Sequence, residues 1–140
     1  MSDTDPVEEA AALAERAGVH GQLGIELVEL TKDRVIATCP VGPKVHQPFG
    51  ILHGGVSALL AESAASIGGQ LNAPDGKVCV GIELNASHLR SIATGTITAT
   101  ASPIRVGRTI QVWRIEITDQ DGRAICDARC TLAVIDRPGG

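Results

Sequence analysis

Residues 47–66 read Gln-Pro-Phe-Gly-Ile-Leu-His-Gly-Gly-Val-Ser-Ala-Leu-Leu-Ala-Glu-Ser-Ala-Ala-Ser and hold most of the side chains that could do chemistry. A helix opening at His53-Gly54-Gly55 leaves its first backbone N–H groups without intrahelical partners. Gly54 has no side chain, so a carbonyl oxygen can come close to those donors, and the helix dipole adds positive potential there. Such a place suits a developing oxyanion. Glu62 follows two turns later, and at about 100° per residue Gly55, Glu62 and Ser66 fall in one narrow stripe. Ser66, four residues past Glu62, could hydrogen-bond the carboxylate or a water beside it. A polarising helix end and a carboxylate facing one cleft would suit hydrolysis of a thioester. Each group also has a plainer reading. A lone Glu in an Ala-rich helix is most often an exposed solubiliser, and His53 could simply cap the helix start.

The helix that must position these groups runs from Leu52 to about Leu71. Val56, Leu59, Leu60, Ser63, Ala64, Ile67 and Leu71 recur at helical spacing and would share one side. The remaining surface offers Gly54, Gly55, Ala58, Ala61, Ala65, Gly68 and Gly69, with Glu62 as its only charge. A solvated face would carry several Lys and Glu. The helix is therefore expected to be buried nearly all round, Glu62 included, with small residues admitting other backbones. A central helix wrapped by sheet does this most simply.

The rest of the chain supplies that sheet. Residues 25–30 and 34–38 read as strands joined by a tight turn near Lys32-Asp33, and residues 78–89, 95–106, 109–118 and 124–135 are rich in Val, Ile and Thr. Asp75-Gly76 and Asp121-Gly122 mark turns, the second a hairpin. Residues 41–50 carry too many Pro and Gly for regular structure and read as an ordered loop. Residues 6–17 suit a short helix, with Pro6 in its first turn and Gly18 as the stop. The expected organisation is an N-terminal helical extension over 1–20, one α+β domain over 21–136 with a largely antiparallel sheet, and a loose tail at 137–140.

Composition narrows the function. A length of 140 residues, 44% hydrophobic and 20% charged, fits one globular domain. Phe49 and Trp113 are the only aromatic residues, which argues against base-stacking platforms, and a net charge of -4 disfavours nucleic acid as a partner. No apolar run approaches the roughly 18 residues of a membrane span, and the acidic N-terminus lacks a basic leader, so a cytoplasmic protein is expected. Cys39, Cys79, Cys126 and Cys130 form no CxxC pair and read as reduced core thiols. His20, His46, His53 and His88 form no metal-spaced cluster.

The segment 47–66 closely resembles that of hotdog-fold acyl-CoA thioesterases of the Arthrobacter 4-hydroxybenzoyl-CoA thioesterase type. Within that family it is most similar to the bacterial 1,4-dihydroxy-2-naphthoyl-CoA hydrolases and the proofreading thioesterase of enterobactin synthesis. The likeness continues through residues 80–91, 103–117 and the final strand, covering about 21 to 135. It implies a hotdog fold, a long central helix wrapped by an antiparallel sheet. It also implies hydrolysis of an acyl-CoA to free acid and CoA, with no metal or organic cofactor. Aromatic acyl groups are favoured, 1,4-dihydroxy-2-naphthoyl-CoA leading.

By the same resemblance, Glu62 occupies the catalytic carboxylate position, as nucleophile through a mixed anhydride or as general base on water. Gly54 matches the residue whose N–H polarises the thioester carbonyl. Gln47 and His53 match polar groups that position thioester and water, and Ser66 a hydroxyl that assists hydrolysis. His88, Leu89, Arg90 and Ser91 match a segment contacting CoA, and Arg105, Val106, Gly107, Arg108, Thr109 and Ile110 a second one. The resemblance further implies homodimers whose sheets join, with the site between subunits, assembling into a homotetramer. Two rivals stand beside it. A non-catalytic acyl-CoA sensor on the same fold would not need Glu62 beside His-Gly-Gly. A hotdog hydratase would use an Asp and His pair, and no suitable Asp accompanies His53. Read alone, His88 and Arg90 could be a solvated strand face, and Arg105 and Arg108 ordinary turn residues, although guanidinium groups suit the phosphates of CoA.

Overall fold

Turn chemistry sets several element boundaries. Gly76 (φ 79°) precedes one long strand, and Gly122 (φ 80°) sits in the last hairpin turn, both in the left-handed region that favours glycine. The Thr31 N–H donates to the Arg34 carbonyl across the Lys32-Asp33 turn. The computed structural model describes residues 18–139, and the helix expected over 6–17 lies outside them. In order, the elements are α1 (Val19–Leu23), β1 (Glu26–Leu30), β2 (Val35–Val41), a 3-10 turn (Pro43–Val45) and α2 (Gly54–Asn72). Then follow β3 (Lys77–His88), β4 (Gly95–Val106), β5 (Ile110–Thr118) and β6 (Ala124–Asp136). The segment expected to be irregular is thus more ordered than its Pro and Gly content suggests. Val41 completes β2, Pro43–Val45 makes a helical turn, and His46 bridges Leu52.

The six strands form one antiparallel sheet in the order β1-β2-β4-β5-β6-β3. Alternation along β5 shows how it is half-buried. Gln111, Trp113, Ile115 and Ile117 point into the core, and Arg114 and Glu116 point out. The helix α2 lies against the inner face, which yields the α+β arrangement of a helix wrapped by sheet.

The face α2 turns to the sheet joins two of its leucines to the small residues. It presents Ser57, Leu60, Ala61, Ala64, Ala65, Gly68, Gly69 and Leu71. A Cβ on Gly68 would stand 2.5 Å from Trp113 Cη2, and one on Gly69 would stand 2.4 Å from Leu132 Cδ1. The sheet contributes the bulk there, so the helix must contribute its absence. Val56, Leu59, Ser63 and Ile67 flank the contact half-buried. Glu62 is exposed, which corrects the expectation of a helix buried all round in a single chain. Buried Trp113 donates its indole N–H to Gln111 Oε1 at 2.9 Å, and Gln111 donates to the Gly69 carbonyl at 3.2 Å, so the polar atoms in this contact are paired.

Three further features bear on the site. His20 in α1, which the sequence leaves unassigned, meets Ser63 Oγ at 2.8 Å and ties α1 to α2. All four cysteines are free, and burial pushes each thiol up. Cys130 rises to about 11, chiefly by burial and further by the nearby Glu62 and Glu83 carboxylates. Lastly, β3 ends the sheet. It pairs with β6 along one side, and a bulge between Gly81 and Glu83 leaves Ile82 58% exposed beside exposed Val80.

Candidate active site

The start of α2 is built by a short, heavily bonded loop. The Gln47 N–H donates to the Ile51 carbonyl at 2.8 Å and the Gly50 N–H to the Gln47 carbonyl at 3.0 Å. The Phe49 N–H donates to the side-chain Oε1 of Gln47, which leaves the carboxamide NH2 as that side chain's free donor. This turn displays Phe49 at 89% exposure.

His53 is the N-cap of α2, and its Nδ1 accepts from the Gly55 N–H at 2.8 Å. The capping role that the residues alone allowed is therefore real. Accepting at Nδ1 places the ring proton on Nε2, which is left as a donor. The Gly54 N–H has no partner among the described residues. The ring of His88, the last residue of β3, lies over Gly54, where a Cβ would stand 2.9 Å from Nε2. Glycine at 54 thus leaves room for this close approach as well as for access to its N–H.

These residues open onto a cleft of about 400 Å³. Six of the residues singled out in the sequence line it: Gln47, Gly54, His88, Leu89, Arg90 and Ser91. Leu52 and Ile125 add apolar wall, and Ser57, not anticipated, lines it too. The signal for Ser57 was present in the spacing, because residues three apart share a helix face and Gly54 marks that face.

The other expected residues are elsewhere in the single chain. Glu62 lies eight residues beyond Gly54, which is about 12 Å along the helix and roughly 80° round it. Its carboxylate lies over Gly81 on β3, where a Cβ would stand 3.0 Å from Glu62 Cδ. Ser66 shares that side of the helix half-buried, and no hydrogen bond joins it to Glu62 among the described residues. Residues 105–110 form the end of β4, a turn closed by the Gly107 N–H on the Ile110 carbonyl at 2.9 Å, and the start of β5. That turn sits at the far end of the sheet, near Ala133, whereas the cleft sits near Ile125 and Cys126. The nine residues of β5 separate the two ends. At about 3.3 Å per residue that distance is roughly 30 Å. The expectation that helix end and carboxylate face one cleft therefore fails within one chain, because helical rise and twist carry Glu62 past it.

Among the described residues, no group of three or more His, Cys, Asp or Glu could hold a metal ion. None of the described helices is long and apolar enough to cross a membrane.

Comparison with known proteins follows the same outline. Residues 49–126 match the Thioesterase superfamily. The 1,4-dihydroxy-2-naphthoyl-CoA hydrolase of Listeria monocytogenes is 47% identical over 117 residues, 84% of this chain and 95% of that protein. The proofreading thioesterase EntH of Cronobacter turicensis is 45% identical over 113 residues, 81% of this chain and 82% of that one. Among solved structures, a thioesterase from Haemophilus influenzae superposes with a TM-score of 0.89 at 42% identity, covering 98% of this chain and 95% of that one.

Proposed function

Because the chain belongs to the thioesterase superfamily and is a thioester hydrolase, we propose that it hydrolyses an aromatic acyl-CoA in the cytoplasm, with 1,4-dihydroxy-2-naphthoyl-CoA the leading substrate. The observation that carries this reading is the cleft at the start of α2. It puts the unpartnered Gly54 N–H, the Gln47 donor and His88 beside Arg90 and Ser91. The thioester carbonyl binds against the Gly54 N–H and the positive end of the helix. Arg90 and Ser91 receive the CoA arm, and Arg105 and Arg108 its phosphates.

The carboxylate arrives from a second copy. Each chain keeps Glu62 with Ser66 on one side and the Gly54 cleft on another, and the two CoA-contacting stretches at opposite ends of the sheet. Pairing of two chains along their β3 edges would cover Val80 and Ile82 and bring one chain's Glu62 to its partner's cleft. A homodimer is the minimal active unit in this reading, and two dimers make the tetramer.

There Glu62 takes a proton from water, whose oxygen adds to the carbonyl carbon. The negative charge that develops on the carbonyl oxygen is held by the Gly54 N–H. Collapse breaks the C–S bond, and the proton leaves with the CoA thiolate. In the covalent variant, the Glu62 carboxylate itself adds to the carbonyl carbon, the C–S bond breaks to release CoA thiolate and leave an acyl–Glu62 mixed anhydride, and water then hydrolyses the anhydride to the free acid and Glu62. A panel of aromatic and linear acyl-CoAs, assayed with a thiol reagent for free CoA, tests the function. Turnover of aromatic thioesters is the expected result, and binding without turnover would mark a sensor. Light scattering tests the assembly, and a mass near the 14.5 kDa monomer at micromolar concentration would refute it.

A further inference from the structure

We propose that the Ser57 hydroxyl contacts the substrate directly, as a second hydrogen-bond donor to the thioester carbonyl oxygen beside the Gly54 N–H; this rests on the acyl-CoA reading above. Ser57 is 1% exposed, yet its hydroxyl has no hydrogen-bond partner among the described residues. It also lines the cleft, so what access it has is to that space. Serine inside a helix can bond back to a carbonyl one turn earlier, and this one does not. Among the described residues no fully buried side-chain oxygen or nitrogen lacks a partner, so this unpaired hydroxyl keeps contact with the cleft, at a place where alanine would be the better helix former. A donor kept there points to a partner that arrives from the cleft.

Geometry selects the partner. Gly54 and Ser57 are three apart on α2 and share one side of it, so a backbone N–H and a hydroxyl can converge on one oxygen. The His88 ring over Gly54 closes the cleft on one flank, and Leu52 and Ile125 supply apolar wall, which strengthens a hydrogen bond formed inside. A hydroxyl can rotate to follow the oxygen as the carbonyl carbon becomes tetrahedral, which a backbone N–H cannot do. The two donors are therefore complementary, one fixed and one adjustable.

Ser57→Ala is the test, with two unreactive CoA analogues. One is a ketone that keeps the carbonyl but inserts a methylene before sulfur. The other is a thioether that lacks the carbonyl. The variant should melt no lower than wild type, and its kcat should fall by roughly 10²-fold, the scale of one lost oxyanion donor. Calorimetry should show the ketone bound about tenfold more weakly and the thioether bound as before. The inference is overturned if kcat stays within about twofold of wild type, or if both analogues weaken alike. If the wild type turns over acyl-CoA and Ser57→Ala equals it, only the role of Ser57 falls. If the wild type hydrolyses no acyl-CoA and binds neither analogue, the acyl-CoA reading falls and takes this one with it.

Discussion

Replacing Gly81 by alanine would disturb Glu62 without altering Glu62 itself. Gly81 lies on β3 outside the left-handed region, so alanine brings no backbone strain. Restricting the unfolded chain would even add about 0.4–1 kcal/mol of stability. The new methyl would stand 3.0 Å from Glu62 Cδ and 3.1 Å from Oε1, against 3.4 Å where ordinary contact begins. The carboxylate is the far end of an exposed side chain, so it can retreat, by about 0.4 Å. A misplacement of about 1 Å can cost about 10²-fold in rate, so in proportion this retreat should lower kcat roughly sixfold. Gly68→Ala is the contrasting perturbation. Its methyl would stand 2.5 Å from Trp113 Cη2, and the indole is buried with its N–H bonded, so nothing can yield cheaply. That change should cost about 1–3 kcal/mol of stability and leave the rate per folded molecule nearly intact. The assay is steady-state release of CoA, with a melting curve and a scattering mass for each variant. If Gly81→Ala keeps its mass, its melting temperature and the full wild-type kcat, then the position of Glu62 over Gly81 has no bearing on catalysis.

Four further outcomes are expected. Glu62→Gln keeps size and polarity but removes basicity and nucleophilicity, so kcat should fall by roughly 10²-fold or more with KM little changed; a near wild-type rate in an assembled variant would end the mechanism. Alanine at Arg90, Arg105 or Arg108 should raise KM more than it lowers kcat, with salt weakening wild-type binding in parallel, and three unchanged KM values would make these arginines surface decoration. Trp113 is fully buried, so Phe49 is the one aromatic side chain open to an acyl group; benzoyl-type or naphthoyl-type thioesters should exceed palmitoyl-CoA in kcat/KM by at least about tenfold, and a peak at long linear chains would sink the aromatic assignment. Finally, the Arg123 backbone N–H, then that of Asp121 and the Arg123 guanidinium, hold the Asp119 carboxyl below its usual range. Its contribution is thus present above the unfolded value of about 3.9 and lost as pH falls through the lower folded value, so Asp119→Asn should flatten the acid limb of a melting-temperature profile.

The strands and the helix were legible because alternation and turn residues survive in any context: Asp121-Gly122 is a hairpin on sight. The helix's orientation was not. Spacing set Val56, Leu59 and Ile67 on one side and Ala61, Ala65, Gly68 and Gly69 on another and had both buried; the sheet fills the small-residue side, where Trp113 meets Gly68 and Leu132 meets Gly69, and the larger residues pack half-buried against the core's edge. Spacing measured within one helix cannot reveal a bulky residue more than forty positions further along the chain. The same limit governs the candidate site. His53, Gly54 and Gln47 are neighbours in sequence and converge as expected, and His88 joins them through the fold. Glu62 shares their helix but not their cleft, because two turns carry it about 12 Å along the axis to a place over Gly81.

The seating of Trp113 has a practical consequence. With no tyrosine in the chain, this indole is its only strong near-ultraviolet chromophore and its only efficient fluorophore. It sits between α2 and the sheet with its N–H on Gln111, away from the cleft and from solvent. Its emission should therefore lie at short wavelength in the native protein, shift to the red in one step when the helix leaves the sheet, and resist aqueous quenchers until then. Intrinsic fluorescence will report whether the core is closed and stay nearly silent about occupancy of the cleft. A titration followed by this signal would read as no binding even when the cleft is full.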